Sequence, residues 1–159
     1  MARVDMMLTL AGFDEALRSG RIKTARMQGN EKIQIHQDMP DGRTPRLTYA
    51  RTKGSGVTAV TVITTAEPID GMRCFHLGYA VREDQRGKGL AKDLASAAVT
   101  DFVANIVRNG MREFCIEAIV DRDNPVSGSV ARAVLGVDPI EKNDTSDGTP
   151  IWQFVKVIT

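Results

Sequence analysis

The 159 residues carry 21 Lys plus Arg against 20 Asp plus Glu, and 42% of them are hydrophobic. That length suits one folded unit, residues 1–159, with a continuous core. No apolar run approaches the roughly 20 residues that span a bilayer, and a formal charge of +1 gives no broad attraction for nucleic acid. Membrane insertion is therefore set aside, RNA binding through Gln85 to Lys88 ranks last among the functions weighed, and any anion site must be local.

The chain opens Met1-Ala2-Arg3-Val4-Asp5-Met6-Met7, where an early acid and no long apolar stretch predict no secretion signal and a cytoplasmic location. Phe13 to Arg18 reads as a short helix stopped at Gly20. The polar stretch Gly29 to Arg46, broken by Met39-Pro40-Asp41-Gly42, predicts a mobile loop with at most a short strand near Ile33–Ile35. Arg46 to Arg51 and Val57 to Thr65 flank Lys53-Gly54-Ser55-Gly56 and predict a hairpin. A second turn, Glu67-Pro68-Ile69-Asp70-Gly71, leads into Met72 to Val81, whose Phe75, Leu77, Tyr79 and Val81 alternate as in a strand.

After Gly89 the period changes. Leu90, Leu94, Ala97, Ala98, Phe102 and Ile106 mark a long amphipathic helix ended by Asn109-Gly110. Phe114 to Val120 reads as a buried strand, Pro125 to Leu135 as a helix closed by Gly136, and Val137–Glu141 and Ile151–Val157 as strands. Cys74 and Cys115 show neither CxxC nor Cys/His spacing, which predicts reduced structural thiols and no metal site. The order implies an α/β (α+β) protein with helices on the faces of a mixed sheet. A sheet edge near Trp152 is a place for a second copy to pair, as in a homodimer.

The most informative segment runs from Tyr79 to Ala91, where a strand ends, a polar loop carries two glycines, and a long helix starts. Amides at a helix start lack intrahelical partners and sit at the positive end of its dipole, so they suit phosphate oxygens. Gly87 and Gly89 can take positive φ and shape an amide concavity, with Arg86 and Lys88 as mobile charge at its rim. Ala91 keeps the first turn clear. A Walker loop is excluded because Lys88 precedes Gly89 and Leu90 follows it, and a dinucleotide fingerprint lacks its third glycine. An ordinary strand-to-helix loop is the bland alternative.

Across Val81-Arg82-Glu83-Asp84-Gln85-Arg86-Gly87-Lys88-Gly89-Leu90-Ala91 the sequence resembles the GNAT superfamily of N-acetyltransferases, with Arg86, Gly89 and Ala91 at the defined positions of its Gln/Arg-x-x-Gly-x-Gly/Ala signature. The resemblance extends from about Met72 to Val137 and includes Asn124-Pro125-Val126-Ser127 before a helix. It implies a mostly antiparallel GNAT-like sheet flanked by helices. It also implies that acetyl-CoA is the cosubstrate and an amine-bearing small molecule, peptide or protein the acceptor. Amides from Arg86 through Gly87, Lys88, Gly89 and Leu90 to Ala91 would hold the pyrophosphate. The backbone near Tyr79 and Val81 would pair with the pantetheine arm. Asn124 would bond the same arm or cap the helix.

By the same resemblance, direct attack of an amine on the thioester needs a base and a donor for the leaving thiolate. Where family members carry a glutamate, this chain has Phe75-His76-Leu77, so His76 is one candidate base. Glu117, interrupting an apolar strand, is its rival, with Asp121 nearer the turn. The family's tyrosine acid is absent, because Ala131 and Arg132 stand there; Tyr79 is the remaining candidate donor, alongside its reading as a core aromatic. A Cys74/His76 nucleophilic pair is a further arrangement. The departures leave two functions in play, an active N-acetyltransferase and a CoA-binding regulatory module without catalysis.

Overall fold

The computed structural model describes residues 4–54 and 56–159, so Met1 to Arg3 of the leader reading and Ser55 of the hairpin turn lie outside the described residues. Eight strands form one sheet in the order β1-β2-β3-β4-β5-β6-β8-β7. They are β1 (Ala25–Met27), β2 (Asn30–Asp38), β3 (Arg46–Lys53), β4 (Gly56–Ile69), β5 (Met72–Val81), β6 (Phe114–Asp121), β7 (Ile140–Asn143) and β8 (Pro150–Ile158). The helices are α1 (Met6–Arg18), α2 (Leu90–Arg108) and α3 (Pro125–Leu135). Every neighbouring pair is antiparallel except β5 and β6. That pair is joined by α2, because a parallel connection needs a long crossover.

The sheet buries both faces. On one, Phe75, Leu77 and Ile116 pack with Leu94, Ala98 and Phe102 of α2, and Phe75 meets Phe102 edge-on at 4.8 Å between ring centroids. On the other, Leu10 and Phe13 of α1 cover Ala50, Val60 and Ala80. Double burial explains why β4 is apolar on consecutive residues rather than alternating. Tyr49 fixes α2 to the sheet from within the core, donating its hydroxyl to Asp101 at 2.8 Å. Burial, followed by the Asp101 carboxylate, pushes this phenol far upward, so it stays a donor.

Four sequence expectations change, one of them the strand expected at Val137–Glu141, which runs instead over Ile140–Asn143. α1 starts at Met6 rather than Phe13, because the Asp5 side chain caps it by accepting from the amides of Met7 and Leu8 at 3.0 and 3.3 Å. The stretch expected to be mostly loop holds the nine-residue β2, paired with both β1 and β3. Its core face consists of Ile33 and the half-buried Ile35, too little apolar content to reveal a strand. Trp152 is not at a free edge, since β8 pairs there with Val120 of β6 and Glu141 of β7. The Asp70-Gly71 turn has φ of 50° and 76°, the positive pair that a tight two-residue hairpin requires. No helix of the described residues is long and apolar enough to cross a membrane.

Candidate active site

β5 and β6 pair at only three positions, Cys74 with Cys115, Phe75 with Ile116 and His76 with Glu117. Beyond them β5 stays with β4 as far as Val81, and β6 stays with β8 as far as Asp121. The two strands therefore part in a V with His76 and Glu117 at its apex, leaving a length of each strand edge without a strand neighbour. Unpaired backbone of this kind offers hydrogen bonds to an extended ligand.

α2 begins at the open end of this V. Gly87 and Gly89 have φ of 79° and 76°, nothing lies within 4 Å of a Cβ built on either, and both are exposed. The first amide of α2 bonded within the helix is that of Asp93, which donates to Gly89 at 3.0 Å, so the preceding amides of the first turn have no intrahelical acceptor. The flanking charges are held rather than mobile. Arg86 donates Nε–H to the Val81 carbonyl at 3.2 Å and approaches Met7 Sδ with Nη2 at 3.3 Å, and Lys88 Nζ donates to Gln85 at 3.1 Å. The loop's outer flank borders a groove of about 600 Å³ in which Lys32, Arg51, Lys53, Arg26 and Lys88 face a single carboxylate, Glu31.

Tyr79 reaches across the V to α3. Its hydroxyl donates to the Ser127 carbonyl at 2.6 Å and accepts from Ser127 Oγ at 3.1 Å. Burial raises its pKa against the lowering effect of Ser127, so the phenol is neutral. Asn124 caps α3 by accepting from the Ser127 amide at 3.1 Å. Gly128 lets α3 settle onto the sheet, because a Cβ there would lie 2.8 Å from the Trp152 ring. Ala131 is buried and Arg132 turns outward to Asp138 at 3.3 Å, so neither replaces a hydroxyl donor.

His76 and Glu117, rival bases in the sequence, come together: His76 Nδ1 lies 3.6 Å from Glu117 Oε1, with 26% of the His76 side chain exposed and 8% of Glu117. Gln153 of β8 donates Nε2–H to Glu117 Oε2 at 3.0 Å, and Lys142 of β7 donates to Gln153 Oε1, also at 3.0 Å. This chain fixes the Gln153 amide orientation, since its oxygen already faces a cation. Burial pushes the Glu117 carboxyl up, but His76, Gln153 and the Lys142 charge together outweigh it, and the net shift is below the ordinary carboxylate value. Gln153 and Lys142 carried no signal in the sequence. Cys74 and Cys115 are free, buried, and two register positions behind the pair. Burial, helped by Cys115 and Glu117, drives the Cys74 thiol far up, which removes the thiolate that a Cys74/His76 nucleophile needs. Among the described residues no cluster of His, Cys, Asp and Glu is arranged to hold a metal ion.

No family model matches the sequence, and no curated protein matches it. Solved structures do match. An acetyltransferase of the GNAT family from Streptococcus pneumoniae aligns at 13% identity over 98% of both chains with a TM-score of 0.55. A ribosomal-protein alanine acetyltransferase from Vibrio fischeri aligns at 13% identity over 74% of this chain and 63% of its own, also with a TM-score of 0.55. A variant of the spermidine N-acetyltransferase SpeG from Vibrio cholerae aligns at 15% identity over 74% of this chain and 66% of its own, with a TM-score of 0.53. The parted strands, the glycine loop at the mouth of α2 and these alignments agree: the chain has the fold of the GNAT acetyltransferases.

Proposed function

We propose that residues 1–159 form one acyltransferase unit that moves an acetyl group from acetyl-CoA directly to an amine. The observation that carries this reading is the coincidence of two sites along one opening. The phosphate-suited amides of Gly87 to Ala91 lie at its mouth, and the His76–Glu117 pair lies at its apex. Charge-assisted hydrogen bonds of about 1.5–3 kcal/mol each let a few such amides anchor a pyrophosphate. The β5 edge from Tyr79 toward the apex would take the pantetheine arm, with the Asn124 amide nitrogen beside it, and so would carry the thioester to His76.

In this mechanism Glu117, whose Oε1 lies 3.6 Å from a His76 Nδ1 that has no hydrogen-bond partner, moves closer to accept Nδ1–H, which leaves Nε2 unprotonated to act as base. The acceptor nitrogen attacks the thioester carbonyl carbon while Nε2 takes its proton; collapse breaks the C–S bond, and that proton, passed through solvent, converts the thiolate to the CoA thiol. Tyr79 keeps its own proton on Ser127 and braces α3 across the opening. The structural neighbours fit an amine acceptor, since they include a spermidine N-acetyltransferase and a ribosomal-protein alanine acetyltransferase. The module reading drew on the missing glutamate and tyrosine, and the His76–Glu117 pair supplies what the first would have done.

The test is mass spectrometry of an amine library incubated with acetyl-CoA and either the wild type or His76→Ala. Acetylated product that falls at least 100-fold in rate in the variant supports the reading. CoA binding with no transfer to any amine would instead support the regulatory module, and equal rates would remove His76 as base.

A further inference from the structure

Strand register places one line of polar side chains straight across the face that carries α1. Asp38 of β2 is opposite Arg46 of β3, Arg46 opposite Thr64 of β4, Thr64 opposite His76 of β5, and His76 opposite Glu117 of β6. Directly opposed residues share a sheet face, so five consecutive strands each give this line one side chain. The next row, Thr48, Val62 and Gly78, is covered by α1, and Met6 Sδ sits 2.7 Å from where a Gly78 Cβ would be. In the Asp38-to-Glu117 line just beyond, Asp38, Arg46, Thr64 and His76 are half-buried and Glu117 is buried. A groove of about 500 Å³ beneath α1 meets this line at Asp38 and Arg46, and His36, Thr48, Phe13 and Leu8 also line it.

Arg46 is the one permanent cation in the line. Asp38 holds it by a two-pronged contact, Nε to Oδ1 at 2.9 Å and Nη2 to Oδ2 at 2.7 Å. Two of its five donors are used, the guanidinium plane is fixed, and its remaining edge stays available in a side chain that is one-third exposed. Strands lie about 4.8 Å apart, so the backbones bearing Arg46 and His76 are about 10 Å apart.

We propose that the acceptor is an amine that also carries a carboxylate, such as an amino acid or a short peptide with a free C-terminus, with its amine at His76 and its carboxylate on Arg46. This rests on the reading of His76 as base. Beyond its pair with Asp38, Arg46 keeps guanidinium donors that give an added carboxylate charge-assisted hydrogen bonds, which a neutral amide would form more weakly. A linear polyamine offers no acceptor to those donors, so Arg46 gives it no such advantage.

The experiment compares kcat/KM for acetylation of a short peptide acid, the same peptide as its C-terminal amide, and a linear diamine, using wild type, Arg46→Gln and Arg46→Lys. Wild type is expected to favour the acid over the amide by about 10- to 100-fold, the worth of a charge-assisted pair. Arg46→Gln should bring the acid down to the level of the amide through KM, and Arg46→Lys should restore part of the preference. An amide or diamine accepted as well as the acid, or a preference that survives Arg46→Gln, overturns the proposal while leaving the transferase reading intact. Transfer to none of the three, with CoA bound, overturns both.

Discussion

Glu117→Gln changes one atom and tests the pairing at the apex. In the wild type the Glu117 carboxylate accepts from Gln153 through Oε2 at 3.0 Å and faces His76 through Oε1 at 3.6 Å. Gln153 cannot turn to donate elsewhere without giving up the Lys142 contact, so the new amide must offer its oxygen to Gln153 and its NH2 group to His76. His76 Nδ1 then becomes an acceptor, its proton moves to Nε2, and Nε2 can no longer take a proton. Loss of a general base costs about 10²- to 10⁴-fold, so kcat should fall within that range while KM for acetyl-CoA holds, because the phosphate loop is untouched. Single-turnover acetyl transfer, read by mass spectrometry between pH 6 and 9, is the assay. A kcat within about threefold of wild type would refute the assignment of Glu117 as the group that orients His76.

The same substitution has a consequence for stability. Glu117 is depressed below its ordinary value of 4.5 in the folded chain, so the unfolded chain binds more protons as the pH drops through that region. Its contribution is full above the ordinary value and lost as pH falls through the folded one. Urea midpoints should therefore drop more steeply on acidification in wild type than in Glu117→Gln. Arg86→Glu puts an anion beside Gly87 and should weaken CoA binding about tenfold or more by calorimetry, with circular dichroism unchanged because the side chain is exposed. Gly128→Ala drives a methyl to within 2.8 Å of the rigid Trp152 ring and should cost about 1–3 kcal/mol, seen as a melting temperature lower by several degrees. Tyr49→Phe removes the buried hydroxyl that ties β3 to α2 and should cost about 1–2 kcal/mol by chemical denaturation.

What the sequence made legible followed from local rules. β5 has the bounds its alternation predicts, and α3 the bounds its Pro and Gly predict. Gly87 and Gly89 take the positive φ for which glycine is the natural choice. β2 was hidden because only Ile33 and Ile35 turn toward the core, and strand pairing rather than side-chain burial holds the rest. The start of α1 was hidden because Leu8, 71% exposed, contributes apolar character without a buried stripe, although the Asp5 cap was there to be read. The meeting of His76 with Glu117 depends on the register between strands separated by a whole helix, and local pattern carries no information about register across a crossover. Gln153 and Lys142 join the site for the same reason, from strands after α3.

The most direct measurement is a crystal structure of the chain with CoA. The pyrophosphate is expected within hydrogen-bond distance of the amides between Gly87 and Ala91, the pantetheine along the open edge of β5, and the sulfur at the apex beside His76. A diphosphate bound away from that loop, or a sulfur directed away from the His76–Glu117 pair, would contradict this placement.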